Sequence, residues 1–318
     1  MDQHLVTIAI TTYNSNINFL SEALDSAINQ TYKNIEIIVA DDCSNNISQI
    51  EDLIHKKKDK RIFLLKSFEN LGVSHSLNKI VAVSKGAYFN WCPDDDYLDP
   101  LKVEIQIKSL EKKPEAISVS DHFQFIDYYK FKRKISHKIY LKFFNIFEYI
   151  ICLDRINGGS LLIPTLYLKT IQFNKNLKYV QDYDMWLSLF KKKEYVYVNR
   201  ALFFSRKHKN QLSETSIIKS TNEISQYYLN FIKSNIFDLI YYNGKKIYLF
   251  IILFYQYRNI NSVVYYCKKE YDNVKLIYNS SKLFYCLIYL SKTLGFLLLF
   301  LHKIKNFFFY SFFLRLWK

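Results

Sequence analysis

In Asn90-Trp91-Cys92-Pro93-Asp94-Asp95-Asp96-Tyr97-Leu98-Asp99-Pro100, three adjacent carboxylates follow a short apolar run. Like charges repel, and a hard cation such as Mg²⁺ or Mn²⁺ would neutralise them while gripping a diphosphate. A solvated acidic turn is the other reading. A second acidic pair, Asp41-Asp42, follows the apolar stretch Ile35 to Ala40, where an open α/β sheet accepts hydrogen bonds from a ribose or base. The third candidate is Asp182, in Gln181-Asp182-Tyr183-Asp184-Met185-Trp186-Leu187-Ser188-Leu189-Phe190. On a helix Asp182 shares a face with Met185, Trp186 and Leu189, whereas Asp184 aligns with Ser188 and Lys191, so the first is expected to point inward and the second outward. Desolvation on an apolar face favours a protonatable carboxylate and the helix dipole opposes it, which leaves a general base and an N-terminal cap as the two readings.

These residues need elements to hold them. Val6 to Thr11 is a β-branched run, Phe19 to Ile28 has helical spacing, Ile35 to Ala40 is a second strand, and Ile47 to Lys57 is a second helix. Ile62 to Lys66, a helix from Ser74 to Ser84, and the strand Ala87 to Cys92 continue the alternation, followed by a helix from Pro100 to Lys113 and a strand from Ala116 to Ser120. Alternation of this kind predicts an α/β fold with a mostly parallel central sheet and crossover helices. Right-handed crossovers put the strand C-termini on one edge, which collects Thr11, Tyr13, Asp41, Asp42, Asn70, Gly72, Asp94, Asp95 and Asp96. Tyr13 could stack on a base, so a nucleotide fits this edge. Lys130 to Ile151, rich in Lys and aromatics, reads as an amphipathic helix, packed on the sheet or facing the acceptor or membrane.

At 318 residues and half hydrophobic, the chain can bury a large core with an appendage. The net charge of +15 is uneven: beyond Glu214 fourteen Lys and Arg stand against four Asp and Glu. Five scattered cysteines, Cys43, Cys92, Cys152, Cys267 and Cys286, show no C-x-x-C spacing and indicate neither a disulfide framework nor a zinc site. No G-x-G-x-x-G follows the first strand and no P-loop occurs, which argues against a dinucleotide dehydrogenase. Met1 to His4 leads straight into a strand without a secretory h-region, so a cytoplasmic location is expected.

Taken in order, Val6 to Asn14, Gln30-Thr31-Tyr32, Ile35 to Ser44, Asn70-Leu71-Gly72, Lys85-Gly86, the acidic cluster and Gln181 to Leu189 resemble glycosyltransferase family 2, the inverting enzymes of the GT-A fold. The resemblance spans about residues 5 to 214 and implies a GT-A domain over 1–214, with a nucleotide-sugar half (1–115) and an acceptor half (116–214). It implies that Thr11, Tyr13 and Asp42 hold the nucleoside of a sugar nucleotide, usually UDP. Asn14, Asp41, Asn70, Gly72, Asn78, Asp94, Gln181, Trp186 and Arg206 join them as substrate-binding positions. Asp95 becomes the principal ligand of Mn²⁺ or Mg²⁺, with Asp96 and with His208 from the Arg206-to-Ser213 loop, and Asp182 becomes the base. The sequence departs from the family at Pro93, in place of the first acid of D-x-D, and at Gln181, Ser188 and Leu77, in place of Glu, Arg and Arg. Either register of the metal motif keeps Asp95.

The implied reaction is a single displacement: Asp182 takes the proton of an acceptor hydroxyl, which attacks the anomeric carbon opposite the nucleotide. A glycan or lipid-linked acceptor in bacterial surface-polysaccharide synthesis is the expected class. A nucleotidyltransferase would show a Gly-rich loop with Arg after the first strand, which is absent here. A catalytically silent subunit of a membrane glycan-assembly complex is the non-enzyme alternative. The tail, 215–318, reads as basic, aromatic-rich helices, apolar at Tyr227, Tyr228, Phe231, Ile232, Tyr248 to Tyr257 and Leu283 to Leu301. Lys292 near the middle of the last stretch and the Lys-studded aromatics through Trp317 favour lying on an anionic bilayer over spanning it. A peripheral site on the inner face of the cell membrane follows, with no nucleic-acid partner.

Overall fold

Val6–Thr12 (β1) and Ile35–Asp41 (β2) are buried along their whole length, as strands covered on both faces must be. The computed structural model describes residues 4–126, 131–138, 141, 146–153, 156–209, 211, 223, 226–227 and 230–231. The chain divides into two compact units, Met1–Ile224 and Ser225–Lys318. The apolar tail segments anticipated above lie almost wholly outside the described residues; in the second unit the Tyr227 and Phe231 rings stack 6.2 Å apart. Among the described residues no helix is long and apolar enough to cross a membrane.

In the first unit the order begins β1, α1 (Ile17–Ile28), β2, α2 (Ile47–Lys57), β3 (Ile62–Lys66), α3 (Val73–Val83), β4 (Tyr88–Trp91). Parallel pairs β3–β2, β2–β1 and β1–β4 put the C-terminal ends of β1, β2 and β4 side by side. Leu20, Ala23, Leu24 and Ala27 of α1 and Ile50 of α2 pack on the Val6, Ile8, Ile10, Ile35, Ile37 and Val39 face. α3 covers the opposite face with Leu77, Ile80 and Val81. Leu77, which stands where the family often carries Arg, is wholly buried.

Two side chains explain motifs that lie far from any chemistry. Glu36 is buried, and its Oε1 accepts from the Thr7 hydroxyl (2.6 Å) and from the amides of Lys85 (2.7 Å) and Gly86 (2.9 Å), clamping the turn into β4 against β1. Gln30 is also buried. Its Nε2 donates to the carbonyls of Ser26 and Asp99, and its Oε1 accepts from the Val103 amide, so the end of α1 is stitched to the chain leaving the acidic cluster.

The second half is mixed rather than parallel. β5 (Tyr97–Leu98), α4 (Lys102–Ser109), β6 (Ile117–Ile126), β7 (Phe131–Ile135), α5 (Ile146–Leu153), β8 (Leu161–Pro164), α6 (Thr165–Thr170), α7 (Gln181–Phe190) and β9 (Tyr195–Arg206) complete it. The strand order is β3-β2-β1-β4-β8-β6-β9-β5, with β7 on β6; β8, β7 and β5 join antiparallel, and only β9 runs parallel to its neighbour β6. The long helix expected over 130–151 is corrected: within the described residues this stretch holds β7 and the start of α5. Phe131-Lys132-Arg133-Lys134-Ile135 alternates in a strand-like way and pairs with Ile126 back to His122.

Candidate active site

β1 ends in Thr11 and Thr12, and the chain turns at Tyr13, which is half exposed at 49 %, and at Asn14, held at φ 50°. Asn14 tolerates this left-handed backbone because its short amide bonds locally. Its N–H donates to Ser44 Oγ (2.8 Å) and its Oδ1 accepts from the Asn45 amide (2.8 Å), latching the β1 turn to the β2 turn. Asp41 and Asp42 then divide their work. Asp42 Oδ1 accepts from the Leu71 amide (3.0 Å) and Oδ2 from the Gly72 amide (2.6 Å), so this carboxylate holds the loop ahead of α3, where Gly72 supplies the φ of +87° that the N-cap requires. Asp41 is 1 % exposed; its Oδ2 accepts from the Ser44 amide (3.1 Å), and its Oδ1 is buried with no hydrogen-bond partner among the described residues. Of the two acids, Asp41 keeps an unpartnered, buried acceptor, whereas the resemblance had given the nucleoside to Asp42. Asn70 is exposed beside this loop.

The acidic turn leaves β4 next to β1. Trp91 Nε1 donates to Thr11 Oγ1 (3.2 Å). Burial, then the neighbouring Asp95 charge, push the Asp94 carboxyl up to about 7, with the nearby polar groups of Thr12, Ser15 and the Tyr13 backbone opposing the rise. Asp96 is driven well above the usual carboxylate range by burial and by Asp95. Asp96 is 4 % exposed and its Oδ1 accepts from the Arg206 amide (2.7 Å). It faces into the protein, so the structure gives it a supporting place rather than that of an open metal ligand. Asp95 faces the other way: its Oδ2 meets His208 Nε2 at 3.0 Å and accepts from Gln211 Nε2 (3.2 Å).

Arg206 was expected on the substrate and is instead 2 % exposed. Its guanidinium lies over the rings of Phe19 (4.1 Å) and Phe125 (4.8 Å), its Nε donates to the Asp95 carbonyl (2.8 Å), and it is paired with Glu22. It braces the turn from beneath. Asn78 is likewise occupied, with both amide atoms on the Phe173 backbone (2.9 Å each).

α7 carries Asp182 and is buried at Gln181, Tyr183, Met185, Trp186, Leu187, Leu189 and Phe190. Asp182 and Asp184 are both partly buried, so the expected contrast between inward and outward does not appear in their exposure. Gln181 is 7 % exposed, with Oε1 lacking a hydrogen-bond partner among the described residues. The link to the acidic turn is Gly158, where a Cβ would stand 2.6 Å from Trp91 and 2.9 Å from Trp186. Both indoles therefore close on one backbone position, with Trp91 three residues before Asp94 and Trp186 one helical turn after Asp182. Sequence reasoning missed Trp91 and Gly158, whereas Gln211 falls in the Arg206-to-Ser213 loop that the resemblance had placed over the diphosphate; the pair Gly158-Gly159 in a chain with six glycines was the available signal.

Among the described residues no group of three or more His, Cys, Asp or Glu forms a metal cage. The donor set nevertheless suits Mn²⁺ or Mg²⁺. The separation of Asp95 Oδ2 from His208 Nε2 is that of two neighbouring ligands on an octahedron, about 3 Å apart for bonds near 2.1 Å, and such ions commonly take one or two protein ligands with phosphates and water completing the shell.

Comparison with known proteins gives one consistent result. The family model described as "Glycosyl transferase family 2" matches residues 7–167. An uncharacterised glycosyltransferase of Rickettsia prowazekii (strain Madrid E) is 34% identical over 233 residues, covering 70% of this chain and 69% of the relative. The UDP-Glc:alpha-D-GlcNAc-diphosphoundecaprenol beta-1,3-glucosyltransferase WfaP of Escherichia coli is 29% identical over 231 residues, 68% of this chain and 86% of WfaP. Among solved structures, S. aureus TarS 1-349 in complex with UDP-GlcNAc superposes with a TM-score of 0.61 at 16% identity, covering 78% of this chain and 71% of that one. The mannosyltransferase PcManGT from Pyrobaculum calidifontis, in complex with GDP-Man and Mn2+, gives 0.56 at 14% identity over 92% and 80%. These two likenesses establish the GT-A architecture.

Proposed function

Because the chain belongs to glycosyltransferase family 2, we propose that it moves a sugar from a UDP-sugar to a hydroxyl of a lipid-linked glycan, with inversion, in the assembly of a cell-surface polysaccharide. The observation that carries this is the shared edge of β1, β2 and β4, where Asp41 holds a buried, unpartnered acceptor among the described residues, Tyr13 an exposed ring, and Asp95 a carboxylate turned toward His208. WfaP, by its name, uses UDP-Glc and a diphosphoundecaprenol-linked acceptor, and the TarS complex holds UDP-GlcNAc, which supports the donor and acceptor classes.

In this reading Asp41 Oδ1 accepts from the base and Tyr13 stacks on it. A Mn²⁺ or Mg²⁺ held by Asp95 and His208 would stabilise the charge that builds on the departing diphosphate. Asp182 receives the acceptor hydroxyl proton as the new glycosidic C–O bond forms and the bond to the diphosphate breaks. The basic region 215–318 holds the enzyme on an anionic membrane surface, next to a lipid-linked acceptor.

Incubation with Mn²⁺ and a panel of UDP-sugars, followed by UDP release, tests the assignment. Turnover is expected in the wild type, with losses of about a thousandfold in Asp95→Ala and Asp182→Asn, the scale on which removal of a single catalytic group registers. Failure to bind or turn over any donor would refute it, and near-normal turnover in Asp182→Asn would remove that residue from the chemistry.

A further inference from the structure

We propose that Glu223 is a positioning residue for the helix that carries Asp182, an assignment that rests on the transferase reading above. α7 starts at Gln181 after the N-cap residue Val180, whose side chain makes no capping bond. The first amides of a helix lack partners within the helix, and here Asp182 itself supplies one locally, its Oδ1 accepting from the Tyr183 amide (2.9 Å), while the apolar cap supplies none. The amides just ahead of the helix find their acceptor more than forty positions further along the chain. Glu223 Oε1 takes the amides of Lys178 (3.0 Å), Tyr179 (2.6 Å) and Val180 (3.1 Å), and Oε2 takes Lys178 again (3.1 Å).

Three successive amides around one carboxylate form an anion nest, and charge-assisted bonds of this kind are about twice as strong as neutral ones. The negative charge also lies at the favourable end of the α7 dipole. The nest ends two residues before Asp182, so the backbone that sets the direction of that side chain is fixed by a group outside residues 7–167, the span of the family match. Glu223 bonds the backbone ahead of the helix and acts on the reaction through it. Its sequence gives no hint of this, because Asn222-Glu223-Ile224 reads as ordinary helical chain.

The experiment uses the full chain with Mn²⁺ and UDP-glucose, UDP-galactose and their N-acetylated counterparts, reading UDP release by hydrolysis. Glu223→Ala is expected to lower kcat about 10- to 100-fold, the cost of misplacing a catalytic group by about 1 Å. The KM for the donor should stay within about twofold, since ground-state binding is untouched. Glu223→Gln, which keeps an acceptor oxygen, should restore most of the rate. In an Asp182→Asn background Glu223→Ala should cost nothing further, an epistasis that general loosening of the fold would not produce. Should Glu223→Ala fail to fold, Glu223→Gln carries the test, its smaller loss confined to kcat and vanishing in the same background. An active wild type whose Glu223 variants keep full kcat, raise donor KM instead, or add their loss to that of Asp182→Asn overturns the positioning role alone. A wild type inert toward every donor overturns the transferase reading and this assignment together.

Discussion

Gly158→Ala adds one methyl group at the point where the two halves of the site meet. Its Cβ would lie 2.6 Å from Trp91 Cε3 and 2.9 Å from Trp186 Cζ2. Carbon atoms settle at about 3.5 to 4.0 Å, so each indole must retreat by about 1 Å. Trp186 is 1 % exposed and Trp91 is tied to Thr11, so neither moves without cost. Overpacking of this kind costs about 1 to 3 kcal/mol. For a domain of this size each kcal/mol lowers Tm by about 2 to 4 °C, giving a fall of about 2 to 12 °C. The catalytic penalty should be larger than the stability loss implies, because the displaced indoles belong to the elements bearing Asp95 and Asp182; an error of about 1 Å costs about 100-fold in rate. Scanning fluorimetry and UDP release on the same preparation measure both. An alanine variant with the wild-type Tm and wild-type turnover would show that the indoles do not couple the halves, and the reasoning fails.

Further outcomes follow from single side chains. Asp41→Asn should raise the KM for a UDP-sugar by about 10- to 100-fold with little change in kcat, the range for losing a hydrogen bond to a charged group; an unchanged KM removes Asp41 from the base. Burial pushes the Lys102 ammonium down to about 7, with its Nζ bonded to Gln106 Oε1 inside the protein. Unfolded lysine holds its proton to about 10.4, so between these values the unfolded chain binds more protons and stability rises with pH. Lys102→Met should remove that rise, seen as a flatter Tm between pH 7 and 9.5; parallel profiles for the two proteins would contradict it.

The first half of the unit was legible because its strands and helices are local patterns: β1, α1, β2, α2 and β3 fall within a few residues of the β-branched runs and helical spacings that announce them. The second half depends on partners distant in sequence. β8 (Leu161–Pro164) and β9 (Tyr195–Arg206) were not anticipated, and β6 runs to Ile126 rather than Ser120 because β7 and β9 extend the pairing beyond any apolar run of its own. In the site, the types of the acids were readable but their occupancy was not. Asp41 and Asp42 are neighbours of one chemistry, and only the folded positions of Ser44, Leu71 and Gly72 decide which keeps an unpartnered oxygen. Arg206 was assigned by its place in the family's loop, whereas Phe19, Phe125 and Glu22 claim it through contacts that spacing does not encode.

The grip of Asp42 on the Leu71 and Gly72 amides bears on kinetics as well as architecture. A loop already fastened to the neighbouring strand forfeits little freedom when a ligand arrives, so recognition by this shelf is preorganised and close to lock-and-key. Discrimination among related sugar nucleotides should then reside in residence times, with association rates nearly common to all of them.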